Sequence, residues 1–175
     1  MIIAAREGQA EGYKYLMGRY GRQVQLLVAQ LVTDARDVEE LTQDAFVRAF
    51  SHLQDFDPQR ASFSTWLSRI AYRTALNHLR SRGFAPLPLD EEQYAPPNGS
   101  WAQEEDEAGL QAERLSLLDK AIECLRPEER TLLHLRYYEE LSLGEIAGVM
   151  EVKAGPLANR LQRIRQKLKN LIHIS

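Results

Sequence analysis

The chain has 175 residues, 44% of them hydrophobic, and a formal net charge of −3 at pH 7. This length allows one ordinary domain or two small ones, and the apolar content argues against disorder throughout. No apolar run approaches the roughly 18 residues that a membrane span needs, and no signal peptide is evident, so we expect a cytoplasmic protein without membrane insertion. Cys124, the one cysteine, cannot form an internal disulfide and is predicted to be a core residue.

Apolar residues in the first 82 positions recur with helical period and predict four helices. Three of them cover residues 13–20, 24–32 and 38–53. Asp34 is a suitable cap for the third helix. The fourth is expected to begin near Ser62 or Ser64 and to end at about Arg82, where Gly83 stops it. Residues 1–82 are therefore predicted to form one helical domain.

Residues 83–110 hold the excess negative charge of the chain. They contain seven carboxylates, no Lys or Arg, and four prolines. This composition neither propagates a helix nor builds a core, so we interpret the segment as an acidic linker between two compact halves.

Residues 111–175 again show helical periodicity. One helix is predicted through Leu115 and Leu125, and Pro127 suits the first turn of a second that runs to about residue 138. Ser142 and Glu145 have the spacing of a capping box, which predicts a short helix over 143–150, followed by a longer one from Gly155. No strand or hairpin pattern occurs, so the expected fold is all-α, with two small domains.

The last predicted helix has five cations and no carboxylate from Ala158 onward. A short capped helix, a turn and a longer basic helix are typical of a helix-turn-helix. Four leucine and isoleucine positions form an apolar stripe that is expected to face the core. The side chains expected on the opposite, outward face are Asn159, Arg160, Arg163 and Lys167. Arg and Asn can read base edges, and Lys can neutralise phosphate. A solvated helix face at the end of a small bundle is the alternative.

A second basic stripe lies on the fourth predicted helix. Arg69, Arg73 and Arg80 fall within one arc, with Asn77 a turn after Arg73. Aromatic residues precede the stripe, namely Phe56, Phe63 and Trp66. Cations beside aromatic rings suit single-stranded nucleic acid, whose bases stack on rings. Phe63 and Trp66 would alternatively be core residues.

Three stretches resemble the extracytoplasmic-function sigma factors of bacterial RNA polymerase: "DVEELTQDAFVRAFSHLQDFD", "FSTWLSRIAYRTALNHLR" and "LRPEERTLLHLRYYEELSLGEIAGVMEV". They resemble regions two and four of that family, in order, with a variable linker between them. The resemblance implies a non-catalytic transcription initiation factor, expected in a stress or envelope response, that needs no cofactor and no metal. It also implies core RNA polymerase (clamp helices and flap), promoter DNA and an anti-sigma factor as partners.

The resemblance also assigns roles to residues. Polymerase contacts carry over to Asp37, Glu40, Gln43 and Asp44. Capture of the unpaired minus-ten element carries over to Phe56, Arg60, Ser62, Arg69, Ile70, Arg73, Asn77 and Arg80. Recognition of the minus-thirty-five element carries over to Lys153, Asn159, Arg160, Arg163 and Arg165.

The chain departs from the family pattern at several places. Glu151 stands where family members often have glycine in the turn between the two helices. The last helix opens with "GPLANR" in place of a Gly-Thr-Val-Lys-Ser-Arg-like run, so Ala158 offers no polar contact. The common Asn of the fourth helix is Arg73 here.

The alternatives are a stand-alone helix-turn-helix regulator and an enzyme. A helix-turn-helix regulator that binds duplex DNA without polymerase would bind an operator tightly by itself. An enzyme would have to use the carboxylates around Asp34, Asp37 and Asp44, but no His has a Glu three residues before it. The phosphate-binding and nucleophile motifs that would support catalysis do not occur either.

Overall fold

The structure, a computed structural model, describes the backbone of residues 1–83 and 108–174 and the side chains of residues 1–83 and 116–171. Every regular element in these ranges is helical, which confirms the all-α prediction. In chain order they are α1 (Ile2–Arg6), α2 (Ala10–Ala29), α3 (Ala35–Ser51), a 3₁₀ turn (Leu53–Asp55), α4 (Phe63–Ser81), α5 (Ala108–Glu123), α6 (Pro127–Leu133), a π turn (His134–Tyr138), α7 (Leu143–Met150) and α8 (Gly155–Ile174). Most of the predicted acidic linker, 83–110, lies outside the described residues.

The N-terminal unit is a bundle in which α2, α3 and α4 pack on one another. Its core combines branched side chains from α2 with alanines from α3 and α4, so the backbones approach closely. Residues with no exposed surface include Val24, Leu27, Val28, Ala45, Ala49, Leu67, Ala71 and Ala75. Each fully buried Leu or Val side chain contributes about 1.5–3 kcal/mol to folding.

The predicted helix ends of this unit are confirmed at α3 and α4. The carboxylate of Asp34 accepts from the backbone N–H of Arg36 at 2.9 Å, and Ser62 Oγ accepts from Thr65 N–H at 3.0 Å. Gly83 follows α4 with φ 81°, a left-handed conformation that suits glycine. The prediction of separate helices over 13–20 and 24–32 was wrong, because α2 runs continuously from Ala10 to Ala29.

The short helix α1 was not predicted. It packs on α2 at Gly12, where a Cβ atom would lie 2.4 Å from the backbone nitrogen of Ala5. Arg6 at its end donates to the carbonyls of Leu53 and Phe56, and thereby joins α1 to the loop before α4. The close helix contact therefore requires glycine at position 12.

The C-terminal unit contains α5 to α8. Its largest fully buried side chains include Leu132, Leu135, Ile146, Leu157 and Ile164. The capping box is confirmed: Ser142 Oγ accepts from Glu145 N–H, and Glu145 accepts from Ser142 N–H at 2.9 Å. The prediction of Cys124 as a core residue was wrong. Cys124 is exposed, and the neighbouring Leu125 takes the buried position.

The two units pack against each other, with α4 against α7. Arg130 of α6 also donates to the carbonyl of Gln30, just after α2, at 3.1 Å. The helix-turn-helix is thus folded onto the helix that carries the second basic stripe.

Candidate nucleic-acid interface

A cleft of about 530 Å³ lies between the C-terminal end of α3 and the middle of α4. It brings together four of the predicted residues, Arg69, Ile70, Arg73 and Asn77. The other lining residues are Arg48, His52, Asp55, Trp66 and Thr74. Of these five, the sequence pattern had indicated only Trp66 as a nucleic-acid contact. The i, i+4 spacing of Arg48, on α3, and His52, which caps its C-terminal end, was a sequence signal for this second wall.

The aromatic residues before and in the first turn of α4 divide between core and surface. Phe56 and Phe63 are each 5% exposed, with ring centroids 5.4 Å apart in an edge-to-face contact. Trp66 packs against both rings at 5.4 and 5.6 Å, but it is only partly buried and lines the cleft. The ring of Phe56, which the resemblance assigns to DNA capture, is enclosed by protein in this conformation.

The remaining predicted residues of this region lie outside the cleft lining. Arg60 is highly exposed and pairs with Asp57 at 3.6 Å in the loop before α4. Ser62 is exposed, but its hydroxyl is occupied by the cap of α4. Arg80 is exposed near the end of α4.

The turn of the helix-turn-helix reaches the basic face of α4. Glu151 Oε1 lies 3.3 Å from Arg69 Nη2 and 3.6 Å from Arg73 Nη1. All three side chains keep between 40% and 63% of their surface exposed. Two of the three arginines that line the cleft, Arg69 and Arg73, are thus paired with a carboxylate from the other unit.

The predicted reading residues of α8 differ in exposure. Lys153, in the turn, and Asn159 are exposed, as expected for DNA contacts. Arg165 is exposed, and its Nε donates to Tyr137 Oη at 2.6 Å. Arg163 is half-buried, and its Nε has no hydrogen-bond partner among the described residues.

The prediction that Arg160 points outward was wrong. Arg160 is 7% exposed, and burial lowers its pKa, with further lowering from the nearby charges of Arg163 and Arg126. Its charge also acts on Tyr72 of α4. Burial raises the pKa of that tyrosine to about 12. Arg160 lies on the flank of the apolar stripe, where the neighbouring elements cover it. Lys167, also expected to turn outward, is exposed and donates to Glu129 at 3.1 Å.

A buried carboxylate joins the two units beside these surfaces. Glu139 Oε2 accepts from Gln23 of α2 at 2.8 Å and from Ser68 of α4 at 2.9 Å. Its other oxygen lies 3.4 Å from His134 Nε2, and the two side chains are only 4% and 8% exposed. A buried charge needs such donors, so this cluster favours one arrangement of the two units.

The predicted polymerase-binding residues form a face on α3. Glu40, Gln43 and Asp44 are exposed there, next to Val47, which is 66% exposed. Their i, i+3, i+4, i+7 spacing places them on one side of the helix. Asp37 is turned inward by comparison: its side chain is 15% exposed and pairs with Arg82 at 2.8 Å.

The described residues show neither a metal-ligand cluster nor a membrane-spanning helix. No cluster of three or more potential metal ligands occurs there. Among the same residues, no helix is both long and apolar enough to cross a bilayer.

Comparison with known proteins gives two family matches and many relatives. Residues 16–84 match Sigma-70 region 2, and residues 115–168 match Sigma-70, region 4. The RNA polymerase sigma-H factor of Pseudomonas aeruginosa is 32% identical over 174 residues, covering 96% of this chain and 90% of the relative. The ECF RNA polymerase sigma-E factor of Escherichia coli K12 is 30% identical over 178 residues, covering 98% and 92%.

Solved structures share the fold at lower identity. CnrH in complex with the cytosolic domain of CnrY has a TM-score of 0.67 at 22% identity and covers 99% of this chain and 96% of its own. The sigma factor RpoE of Bartonella quintana, in complex with the anti-sigma factor NepR, also has a TM-score of 0.67, at 19% identity, with coverage of 95% and 99%. With both sigma regions matched in order and near-complete coverage of relatives, the chain belongs to the extracytoplasmic-function sigma factors, which direct RNA polymerase in transcription initiation.

Proposed function

We propose that this sigma factor opens promoter DNA by holding the unpaired minus-ten strand in the cleft between α3 and α4. The observation that carries the proposal is the composition of that cleft, where Arg69, Arg73 and Asn77 lie beside the partly exposed ring of Trp66. Arginines neutralise phosphates, and an aromatic ring stacks on a base. The cleft thus combines the two interactions that single-stranded DNA requires.

The cleft would favour melting by binding the unpaired strand more strongly than duplex DNA. Extruding a base costs about a few kcal/mol, which a shaped pocket must offset. Binding that is stronger to the open strand than to the duplex shifts the equilibrium towards the open state. No covalent chemistry by this chain is needed, so we propose that it is not an enzyme and acts in the cytoplasm with polymerase and DNA.

The region-four unit would supply promoter register. Lys153 and Asn159 are exposed at the turn and the start of α8, where a recognition helix enters the major groove. Asn can form two hydrogen bonds with adenine, and Lys can contact phosphate. Arg160, Arg163 and Arg165 would join them once the protein groups that now cover or bind them move away.

The partners follow from the surfaces and from the family. The exposed face of Glu40, Gln43 and Asp44 is a suitable contact for the clamp helices of core polymerase, and the flap would bind the region-four unit. Because the related RpoE structure is a complex with the anti-sigma factor NepR, and that of CnrH is a complex with the cytosolic domain of CnrY, we also expect an anti-sigma partner.

In vitro transcription with core polymerase on a promoter library tests this function. The chain should direct initiation at promoters that core polymerase alone does not use. Arg73→Ala should reduce strand opening, whereas Arg19→Ala, an exposed arginine on α2, should not. Tight operator binding without polymerase, with no new initiation sites in its presence, would favour a stand-alone regulator and refute the proposal.

The upstream element is tested in the same assay. Asn159→Ala should weaken discrimination at one position of this element by about 1–3 kcal/mol. Asn170→Ala, at an exposed position later in α8, is the matched control. Identical promoter profiles for the two variants would remove Asn159 from the reading surface.

A further inference from the structure

Glu151 has an unusual backbone conformation for its residue type. It ends α7 in the left-handed region, with φ 56° and ψ 43°. Glycine adopts this conformation freely, whereas a side chain makes it unfavourable, and family members often have glycine here. Glu151 therefore carries a conformational cost that a favourable side-chain contact can offset.

The side-chain contact is with the proposed minus-ten surface. The same oxygen, Oε1, lies within 3.6 Å of both Arg69 and Arg73. Among the described residues, these are the ion pairs that the two arginines form. A carboxylate oxygen shared by two guanidinium groups resembles a phosphate oxygen in charge and in hydrogen-bonding capacity.

The rest of the interface holds the carboxylate in place. Glu139 is anchored to α2 and α4 through Gln23 and Ser68, and Thr65 of α4 lies 3.5 Å from Glu145 Oε1 of α7. The N-terminal side of α7 is therefore tied to α2 and α4. Since α7 packs on α4, Glu151, just past the C-terminal end of α7, lies beside the basic stripe.

We propose that Glu151 is an intramolecular competitor of DNA for Arg69 and Arg73. In the closed chain its carboxylate occupies the two cations that would hold the phosphates of the unpaired strand, so the free factor binds single-stranded DNA weakly. Separation of the two units, as binding to polymerase would require, frees both arginines. The proposal rests on the minus-ten role proposed above and adds a regulation of that surface.

The expected effect is moderate because all three side chains are about half exposed. Exposed ion pairs contribute little each, so removal of the competitor should tighten binding of single-stranded DNA by about two- to tenfold. The effect should be largest at low salt and should shrink as salt screens both the ion pairs and the phosphates.

The test uses the full chain and a short fluorescein-labelled single-stranded oligodeoxynucleotide, with affinity measured by fluorescence anisotropy. Glu151→Gln keeps the size and removes the charge, and Glu151→Gly also removes the unfavourable side chain. Glu140→Gly is the matched control, since Glu140 is likewise left-handed, with φ 55°, and is exposed. The double variant Arg69→Ala/Arg73→Ala tests the binding surface itself.

Tighter binding by both Glu151 variants, with Glu140→Gly like the wild type, is the expected result. Unchanged affinity of the Glu151 variants, with weaker binding by the double arginine variant, would overturn the competitor and leave the minus-ten surface intact. If loss of both arginines left the affinity unchanged, the minus-ten surface itself would be refuted, and the competitor with it.

Discussion

Replacing Glu139 by alanine should open the chain. In the closed arrangement the Glu139 carboxylate accepts one hydrogen bond from Gln23 and one from Ser68, both in the other unit. A hydrogen bond to a charged group contributes about 1.5–3 kcal/mol. Burial of the carboxylate costs part of that gain, because a charge loses its hydration there.

Glu139→Ala is expected to make the packing of the two units less favourable by about 1–3 kcal/mol. This change lowers the ratio of closed to open chain by about 5- to 150-fold. Glu139→Gln is the matched control, because it keeps the size and one acceptor oxygen for the same donors. It should retain more of the closed population than the alanine variant does.

Single-molecule energy transfer measures this equilibrium. Cys124 is exposed in the C-terminal unit and accepts one dye without further mutation. A second dye can be attached at Val47→Cys on α3, where the native side chain is 66% exposed. Wild type should give a compact population, and Glu139→Ala should add an extended one. If both distributions coincide while circular dichroism shows both proteins folded, Glu139 does not hold the units together.

Three further predictions concern stability. Phe56→Ala should lower stability by about 3–5 kcal/mol, because the ring is enclosed in an aromatic cluster; a thermal midpoint equal to that of the wild type would contradict its core position. Ser142→Ala should cost about 0.5–2 kcal/mol by removing the cap of α7, as measured by urea unfolding, with the exposed Ser51→Ala as control. The third concerns pH: burial acts to raise the pKa of Glu129, but the Arg126 N–H and Lys167 outweigh it and lower this pKa overall. The contribution of Glu129 is therefore complete above its unfolded pKa and lost as pH falls through the lowered folded value. Glu129→Gln should make urea stability less dependent on pH in this acid range, and an unchanged slope would refute the assignment.

Much of the local structure could be predicted from the sequence, because short-range chemistry determines it. The caps Asp34, Ser62 and Ser142 act on backbone groups two or three residues away, so their spacing was sufficient. The family resemblance likewise depends on local motifs in the correct order. The positions of Arg69, Arg73 and Asn77 on one helix arc followed from helical periodicity, and the family resemblance added Ile70. The structure places all four in one cleft.

Tertiary structure alone decided which of these surfaces are free. Periodicity places Arg160 beside an apolar stripe, but only the packing of neighbouring elements shows that it is buried. The contact of Glu151 with Arg69 joins residues 82 positions apart, and that of Glu139 with Gln23 joins residues 116 positions apart. Such pairs depend on how two separately folded helical units meet, which neither helix propensity nor residue spacing encodes. The sequence by itself therefore identifies a sigma factor with two nucleic-acid surfaces, whereas the packing of its two units determines that the chain is closed over them.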